Sequence, residues 1–247
     1  MPAHKHTPWT PAKRRTSAAP PAPTGLVVRS AIFDRILQAV MEHRLPPGTK
    51  LVEDRLAELF DTSRAQVRDV LTRLTDEGVV TTIPNRGAFI ASPTPDETRE
   101  VFEARRLIEP ALVRRFIEQG DGLALVGLRT LVEQEEQARA RQDRPVMVRL
   151  SGEFHLRLAE SAGNRMLERS MRALTLLSSL AIFLYDAPHA TACREDEHRS
   201  LLAAIERRRA DRAAALMLEH LDHIEASLDL RPAHDAPVDL AAALMPR

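Results

Sequence analysis

Ser63-Arg64-Ala65-Gln66, followed by Arg68, sets a hydroxyl, two guanidinium groups and a carboxamide within one short stretch. Those groups suit a nucleic acid. Arginine can bond the N7/O6 edge of guanine, glutamine can bond adenine, and a serine at a helix start can donate to a phosphate. A second basic point, Arg86-Gly87, lies in a short turn, where glycine permits close approach to a sugar-phosphate backbone or a minor groove. The chain has nine histidines and one cysteine, Cys193, so a bound metal would take nitrogen or oxygen ligands and no intrachain disulfide can form.

These groups need elements to present them. Ile32, Ile36, Leu37 and Val40 fall at helical spacing, and Leu45-Pro46-Pro47-Gly48 stops that helix. Lys50 to Val52 reads as a short extended piece. Leu56, Leu59 and Phe60 define a second helix from near Glu53, with Ala57 small enough for another helix to cross closely. After the polar break Asp61-Thr62-Ser63, the Ser63/Gln66 pair is a capping-box pattern, and Val67, Val70, Leu71 and Leu74 give the next helix one apolar stripe. Gly78 ends it. Residues 79–83 and 88–90 then read as two β-runs around the basic turn Pro84-Asn85-Arg86-Gly87. This is the organisation of a helix-turn-helix with a wing, which offers the start of its second helix to a major groove. An ordinary pair of apolar helices with solvated arginines would show the same spacing, so both readings stand at this point.

The formal net charge is zero, yet a cut at Pro93/Thr94 leaves thirteen basic against nine acidic residues before it and twenty-two against twenty-six after it. Beyond the cut the chain is rich in Ala, Leu, Glu and Arg. Thr94-Pro95-Asp96-Glu97 is a cap, a first-turn proline and a capping-box acid in succession. Helices are predicted over 97–119, 122–142, 146–161, 165–185, 195–209 and 211–229, with Pro110 expected to perturb the first. Met166, Met171, Leu174, Leu176, Leu177 and Leu180 read as core. Arg207-Arg208-Arg209 reads as a solvated helix end, and His189 and His223 as surface or loop residues. The longest uncharged apolar stretch, Ala173 to Tyr185, falls well short of the roughly 20 residues needed to span a bilayer. A soluble, cytoplasmic protein with no membrane partner is expected.

The run from Ile32 to Phe89 resembles the winged-helix domain of the GntR family of bacterial transcription regulators. The marks are a Pro-Gly turn, Leu51, Leu56-Ala57, Ser63-Arg64, Val67-Arg68, Leu71, Leu74, Gly78 and Arg86-Gly87. The resemblance implies DNA contacts from Ser63, Arg64 and Arg68 and from Gly87 in the wing, with Arg55 a further candidate. Gln66 and Arg86 join them from the chemistry above. Asp61 stands where the family usually has glycine, and aspartate can adopt the left-handed conformation this requires.

Residues 95 to 230 resemble the FCD-type effector domain of the FadR subfamily. Glu103-Ala104-Arg105-Arg106-Leu107-Ile108-Glu109 carries the match, with Glu153-Phe154-His155 leading to Ala162-Gly163-Asn164, and Glu197-His198 followed by His220. The implied fold is mainly α: a winged helix-turn-helix with a small β-wing, then an all-α antiparallel bundle around a pocket. In such a pocket His155, His198 and His220, from three helices, would bind a divalent metal such as Zn or Ni together with a small carboxylate effector. Arg105 matches the family's pocket arginine, and either pairs with an effector carboxylate or bridges to Glu109 four residues on. The family's metal-binding members carry an aspartate where this chain has Ser151, which removes a negative charge from the ligand set. Glu153 points elsewhere on a regular helix and does not replace it. Cys193 reads as an inert small residue.

The expected organisation is a Pro-rich basic arm over 1–25, a DNA-binding unit over 26–91, a linker over 92–96, an effector-binding and dimerisation unit over 97–230 and a tail over 231–247. The expected function is a ligand-responsive regulator. It would repress a catabolic or transport operon, bind a palindromic double-stranded DNA operator as a homodimer and leave it when a small organic acid binds. A metal-dependent enzyme is disfavoured because no motif places an acid or base beside the histidines and HExxH is absent. An architectural DNA-binding protein would need no histidine pocket.

Overall fold

A computed structural model describes residues 25–185 and 196–230. The expected arm ahead of Gly25, the tail from residue 231, His189 and Cys193 lie outside the described residues.

The first unit begins with α1 (Gly25–Met41), whose Ile32, Phe33, Ile36 and Val40 are fully buried. Next come β1 (Lys50–Leu51), α2 (Glu53–Leu59) and α3 (Arg64–Asp76). In the turn between the two helices Asp61 takes the left-handed conformation, φ 46°, that its position requires. The Ser63 hydroxyl accepts the Gln66 amide at 3.3 Å, one half of the expected capping box. The other half is not formed. The Gln66 side chain accepts the hydroxyl of Thr62, four residues back, instead of reaching the cap backbone of Ser63.

Gly78 closes α3 in a Schellman motif: its amide bonds the Thr75 carbonyl at 2.9 Å and the Val79 amide bonds that of Leu74 at 3.0 Å. Its φ is +73°, and a Cβ added there would meet nothing within 4 Å. Gly78→Ala should therefore cost only the backbone penalty of a left-handed L-residue, about 1–2 kcal/mol, with no packing contribution. Urea unfolding of the variant checks this, and an unchanged midpoint would contradict it.

β2 (Val80–Ile83) and β3 (Gly87–Ile90) form an antiparallel hairpin with Val80 opposite Ile90 and Ile83 opposite Gly87, and β1 pairs with the other edge of β3. The connecting turn has Pro84 at its second position and Asn85 at its third with φ 61°, closed by the Arg86 amide on the Ile83 carbonyl at 3.0 Å.

The second unit is helical. It comprises α4 (Pro95–Gln119), α5 (Gly122–Ala140), α6 (Arg144–Ser161), α7 (Arg165–Tyr185), α8 (Glu197–Glu206) and α9 (Ala210–Ala226). Thr94 and Glu97 form the predicted reciprocal capping box, at 3.2 and 2.7 Å, so the helix starts two residues earlier than its apolar pattern. Pro110 lies inside α4 without ending it. The main packing partners are α4 with α9 and α5 with α6, around a core that includes Phe102, Leu112, Leu128, Phe154, Leu158, Met171, Leu201, Met217 and Leu221. Met166, expected in the core, is 62% exposed, because it sits in the first turn of α7 before that helix enters the bundle.

The two units share α7. Leu176 and Leu180 join the core of the first unit, while Met171 and Ile182 of the same helix face the bundle core. At this junction the Nε2 of His43 lies 3.1 Å from the Ser179 carbonyl, and the His43 ring stands edge-on to Phe183. Glu42 accepts Arg44 at 2.8 Å and lies 3.3 Å from the Arg149 Nε of α6.

Burial lowers the His43 imidazole from 6.5 to about 4, with the Ser179 carbonyl opposing that shift and Arg144 adding to it. The folded value lies below the unfolded one, so the unfolded chain takes up the proton first. The contribution of neutral His43 is intact above about pH 6.5 and is lost, by at most about 1.4 kcal/mol per pH unit, as the pH falls towards 4. His43→Gln should lose less melting temperature over that window than the wild-type chain. Parallel pH profiles would remove His43 from the account.

Candidate functional site

Among the predicted DNA-contacting residues, Arg64 and Arg68 sit on the first two turns of α3 and are more than half exposed. Both lean on the start of α2: the Arg64 Nε lies 2.9 Å from Asp54 and the Arg68 Nε donates to Glu53 at 2.8 Å. Exposed pairs of this kind contribute at most about 1 kcal/mol each, so a phosphate or a base edge can displace them. Ser63 is exposed, and its hydroxyl accepts within the cap while its own proton stays available. Gln66 departs from this group. It is half-buried, and its carboxamide oxygen is held by the Thr62 hydroxyl at the helix start. Arg55 is exposed on α2, 3.2 Å from Glu58. At the wing tip Arg86 and Gly87 are exposed, Gly87 with φ 102°.

The second group is buried. His155 comes from α6, His198 from the first turn of α8 and His220 from α9, each no more than 3% exposed. One nitrogen from each lies within 4.8 Å of the others, and the Nε2 atoms of His155 and His220 are 3.2 Å apart. The opposite ring nitrogens all face carboxylates. Nδ1 of His155 is 2.5 Å from Glu109, Nδ1 of His198 is 2.7 Å from Glu135, and Nδ1 of His220 is 2.7 Å from Glu197. Phe154 stacks on His198, with ring centroids 4.5 Å apart, and closes the apolar side.

Burial lowers His155 to about 3, with Glu109 opposing, so its imidazole is neutral and has a lone pair to offer. Burial would raise the Glu109 carboxyl, but the Arg105 guanidinium and His155 outweigh it and hold the group well below the usual carboxylate range. Glu197 is also held low against its burial, by His220 and then His223.

This donor set fits a divalent metal. With each Nδ1 hydrogen directed at a carboxylate, the Nε2 lone pairs of His155 and His220 face one another, an arrangement that repels unless a cation or proton lies between them. Two nitrogens about 2.0–2.1 Å from one tetrahedral zinc would lie roughly 3.3 Å apart, close to the 3.2 Å found. No carboxylate belongs to the cluster among the described residues. Ser151 is half-buried, and Glu153 pairs with Arg149 at 2.5 Å instead.

Arg105 makes the bridge that was one of its two expected partners: its Nε donates to Glu109 at 2.6 Å, with both side chains buried. Its Nη2 is also buried and has no hydrogen-bond partner among the described residues. His223 is 40% exposed and shares Glu197 from outside the cluster. Arg207, Arg208 and Arg209 are exposed in the turn after α8. Beside His198 is a cleft of about 10 Å³ lined by Val132, Glu135 and Arg139, room for about one water.

The residues that sequence reasoning missed are Glu135 with its partner Arg139, and Glu197 in its role towards His220. Glu135 reaches a histidine 63 positions away, and no local spacing encodes that pairing.

Comparison with known proteins covers both units. Residues 28–90 match "Bacterial regulatory proteins, gntR family" and residues 100–223 match "FCD domain". The Nta operon transcriptional regulator of Aminobacter aminovorans is 26% identical over 192 residues, 77% of this chain and 90% of that protein. The HTH-type transcriptional repressor RspR of Escherichia coli K12 is 24% identical over 196 residues, covering 78% and 86%. Among solved structures, E. coli McbR/YncC shares the fold with a TM-score of 0.72 at 20% identity, over 81% of this chain and 95% of that one. A GntR protein from Rhodococcus sp. RHA1 shares it at 0.70 and 22%, over 80% and 95%. With exposed arginines on α3 in the first unit, a buried histidine cluster in the second and both family matches in the same order, this chain belongs to the GntR family of bacterial regulatory proteins, carries an FCD domain, and is a transcriptional regulator and not an enzyme.

Proposed function

We propose that the protein represses a catabolic or transport operon. In this reading a homodimer binds a palindromic operator through Arg64, Arg68, Ser63 and the wing residues Arg86 and Gly87, with Arg55 at the margin. A small organic acid, bound at Arg105 and the three histidines, releases it. His155, His198 and His220 would hold a divalent metal, Zn or Ni, whose open positions supply a Lewis acid for a carboxylate oxygen. The observation that carries the reading is the convergence of three neutral-capable imidazoles beside a buried, incompletely bonded arginine. The named repressor among the relatives supports the sign of regulation, and the exposed apolar side chains Leu107, Leu123, Val126 and Met166 support a second copy as partner.

The division into 26–91, 92–96 and 97–230 gives the signal a route. On one side the units are locked by Leu176, Leu180 and His43. On the linker side a cleft of about 380 Å³, lined by Gly78, Thr81, Ser92, Pro93 and Glu97, leaves room for the head to shift. Tyr185, the last residue of α7, donates its hydroxyl to the Pro93 carbonyl at 2.8 Å and so ties the bundle to the linker. An effector acts only through its differential affinity for the two head positions.

The test is to capture sheared genomic DNA with the purified dimer at near-physiological salt, metal supplied, and then add simple organic acids. Enrichment of a few intergenic palindromes, released by one class of acid, is expected. No enrichment by a folded dimer at any salt would overturn the reading.

A further inference from the structure

Each histidine of the pocket is the inner end of a three-member chain, and the three chains are built alike. Arg105 bonds Glu109, which faces Nδ1 of His155. Arg139 bonds Glu135 at 3.0 Å, which faces Nδ1 of His198. His223 lies 2.5 Å from Glu197, which faces Nδ1 of His220. The three glutamates come from α4, α5 and α8, so the repetition does not arise from one helix periodicity. In every chain one carboxylate oxygen takes the imidazole and the other is taken by a second nitrogen, which stops the carboxylate from rotating.

We propose that Glu109, Glu135 and Glu197 are positioning residues that fix all three histidines in the Nδ1–H tautomer, so that three Nε2 lone pairs converge on one divalent cation. The inference rests on the metal reading of this pocket given above. A carboxylate is an acceptor only, so a neutral imidazole facing it must place its hydrogen on Nδ1 and leave Nε2 bare. The same contact makes Nε2 a stronger donor to a metal. It also answers the departure at Ser151: the negative charge missing from the ligand set stands one bond further out, on three groups instead of one.

Glutamine keeps the size of glutamate and removes its charge and its obligatory acceptor role, so Glu→Gln isolates the effect. Glu109→Gln leaves the buried Arg105 cation without its anion and risks the fold. Glu197→Gln, with the Glu197 side chain 14% exposed, therefore carries the test, together with Glu135→Gln. Glu136→Gln is the control, because Glu136 pairs on the surface with Arg199.

The full-length metal-free protein is labelled with ¹⁵N for tautomer assignment and then titrated with Zn²⁺ against a chromophoric chelator and with Co²⁺ by its visible absorption. Wild type should show hydrogen on Nδ1 of all three rings. Glu197→Gln and Glu135→Gln should lose roughly 10–100-fold in metal affinity and change the Co²⁺ spectrum, while Glu136→Gln matches wild type. A ring without hydrogen on Nδ1 in the wild type, or glutamine variants with wild-type affinity and spectrum, would overturn the proposal. The expected tautomers in a wild type that binds neither ion would support the positioning and overturn the metal reading instead, so the two failures are distinguishable.

Discussion

His198→Ala is expected to abolish stoichiometric metal retention. The substitution removes one of three nitrogen donors and also strips Glu135, a buried carboxylate that Arg139 bonds, of its Nδ1–H contact. Loss of an outer partner costs roughly 10–100-fold in affinity, and loss of a ligand must exceed that. Equilibrium dialysis against Zn²⁺ with elemental analysis measures the effect, with circular dichroism to confirm that the helices persist. The effector response should disappear together with the metal. A folded His198→Ala protein with normal metal content and normal release from DNA would show that the pocket is a packed histidine cluster with no ligand role.

Arg64→Ala should weaken operator binding without disturbing the fold. Arg64 is exposed, and its partners Asp54 and Glu53 are themselves solvated, so the folded protein loses at most about 1 kcal/mol. On DNA the position is different. A bidentate arginine–guanine contact discriminates by about 1–3 kcal/mol, and a homodimer loses it in both half-sites, for roughly 2–6 kcal/mol in all. The loss should fall on the specific site and spare random DNA. Binding isotherms on both, across a salt series, separate base reading from phosphate contact, because a lost phosphate contact lowers affinity on every sequence and flattens the salt slope. Equal loss on operator and random DNA would make Arg64 a backbone contact.

The contrast between Gln66 and Arg64 shows where sequence reading reaches its limit. Both stand in the first turn of α3, and both residue types can read a base edge. Arg64 projects into solvent, whereas Gln66 is drawn back by the Thr62 hydroxyl, a choice between two local hydrogen bonds of similar strength. The capping pattern announced the start of the helix correctly and misassigned one of its bonds. At Thr94 and Glu97 the same pattern formed completely.

The order of helices and strands, the turn chemistry at Asp61 and Gly78, and the three pocket histidines were legible in the chain, because each depends on spacing within a few residues or on a family motif. The partners of those histidines were legible only in part. Glu109 lies one turn from Arg105, and Glu197 stands beside His198, so both could be seen without their roles. Glu135 has no local mark. The double duty of α7, with Leu176 and Leu180 in one core and Met171 and Ile182 in the other, was equally hidden, since both pairs read simply as apolar. The sequence by itself determined the local elements, because backbone preference and apolar period act over one or two turns. Tertiary structure alone decided which glutamate meets which histidine and which unit each face of α7 serves, because those contacts join residues from 23 positions apart, at Glu197 and His220, to 136 apart, at His43 and Ser179, and are selected by how whole helices pack.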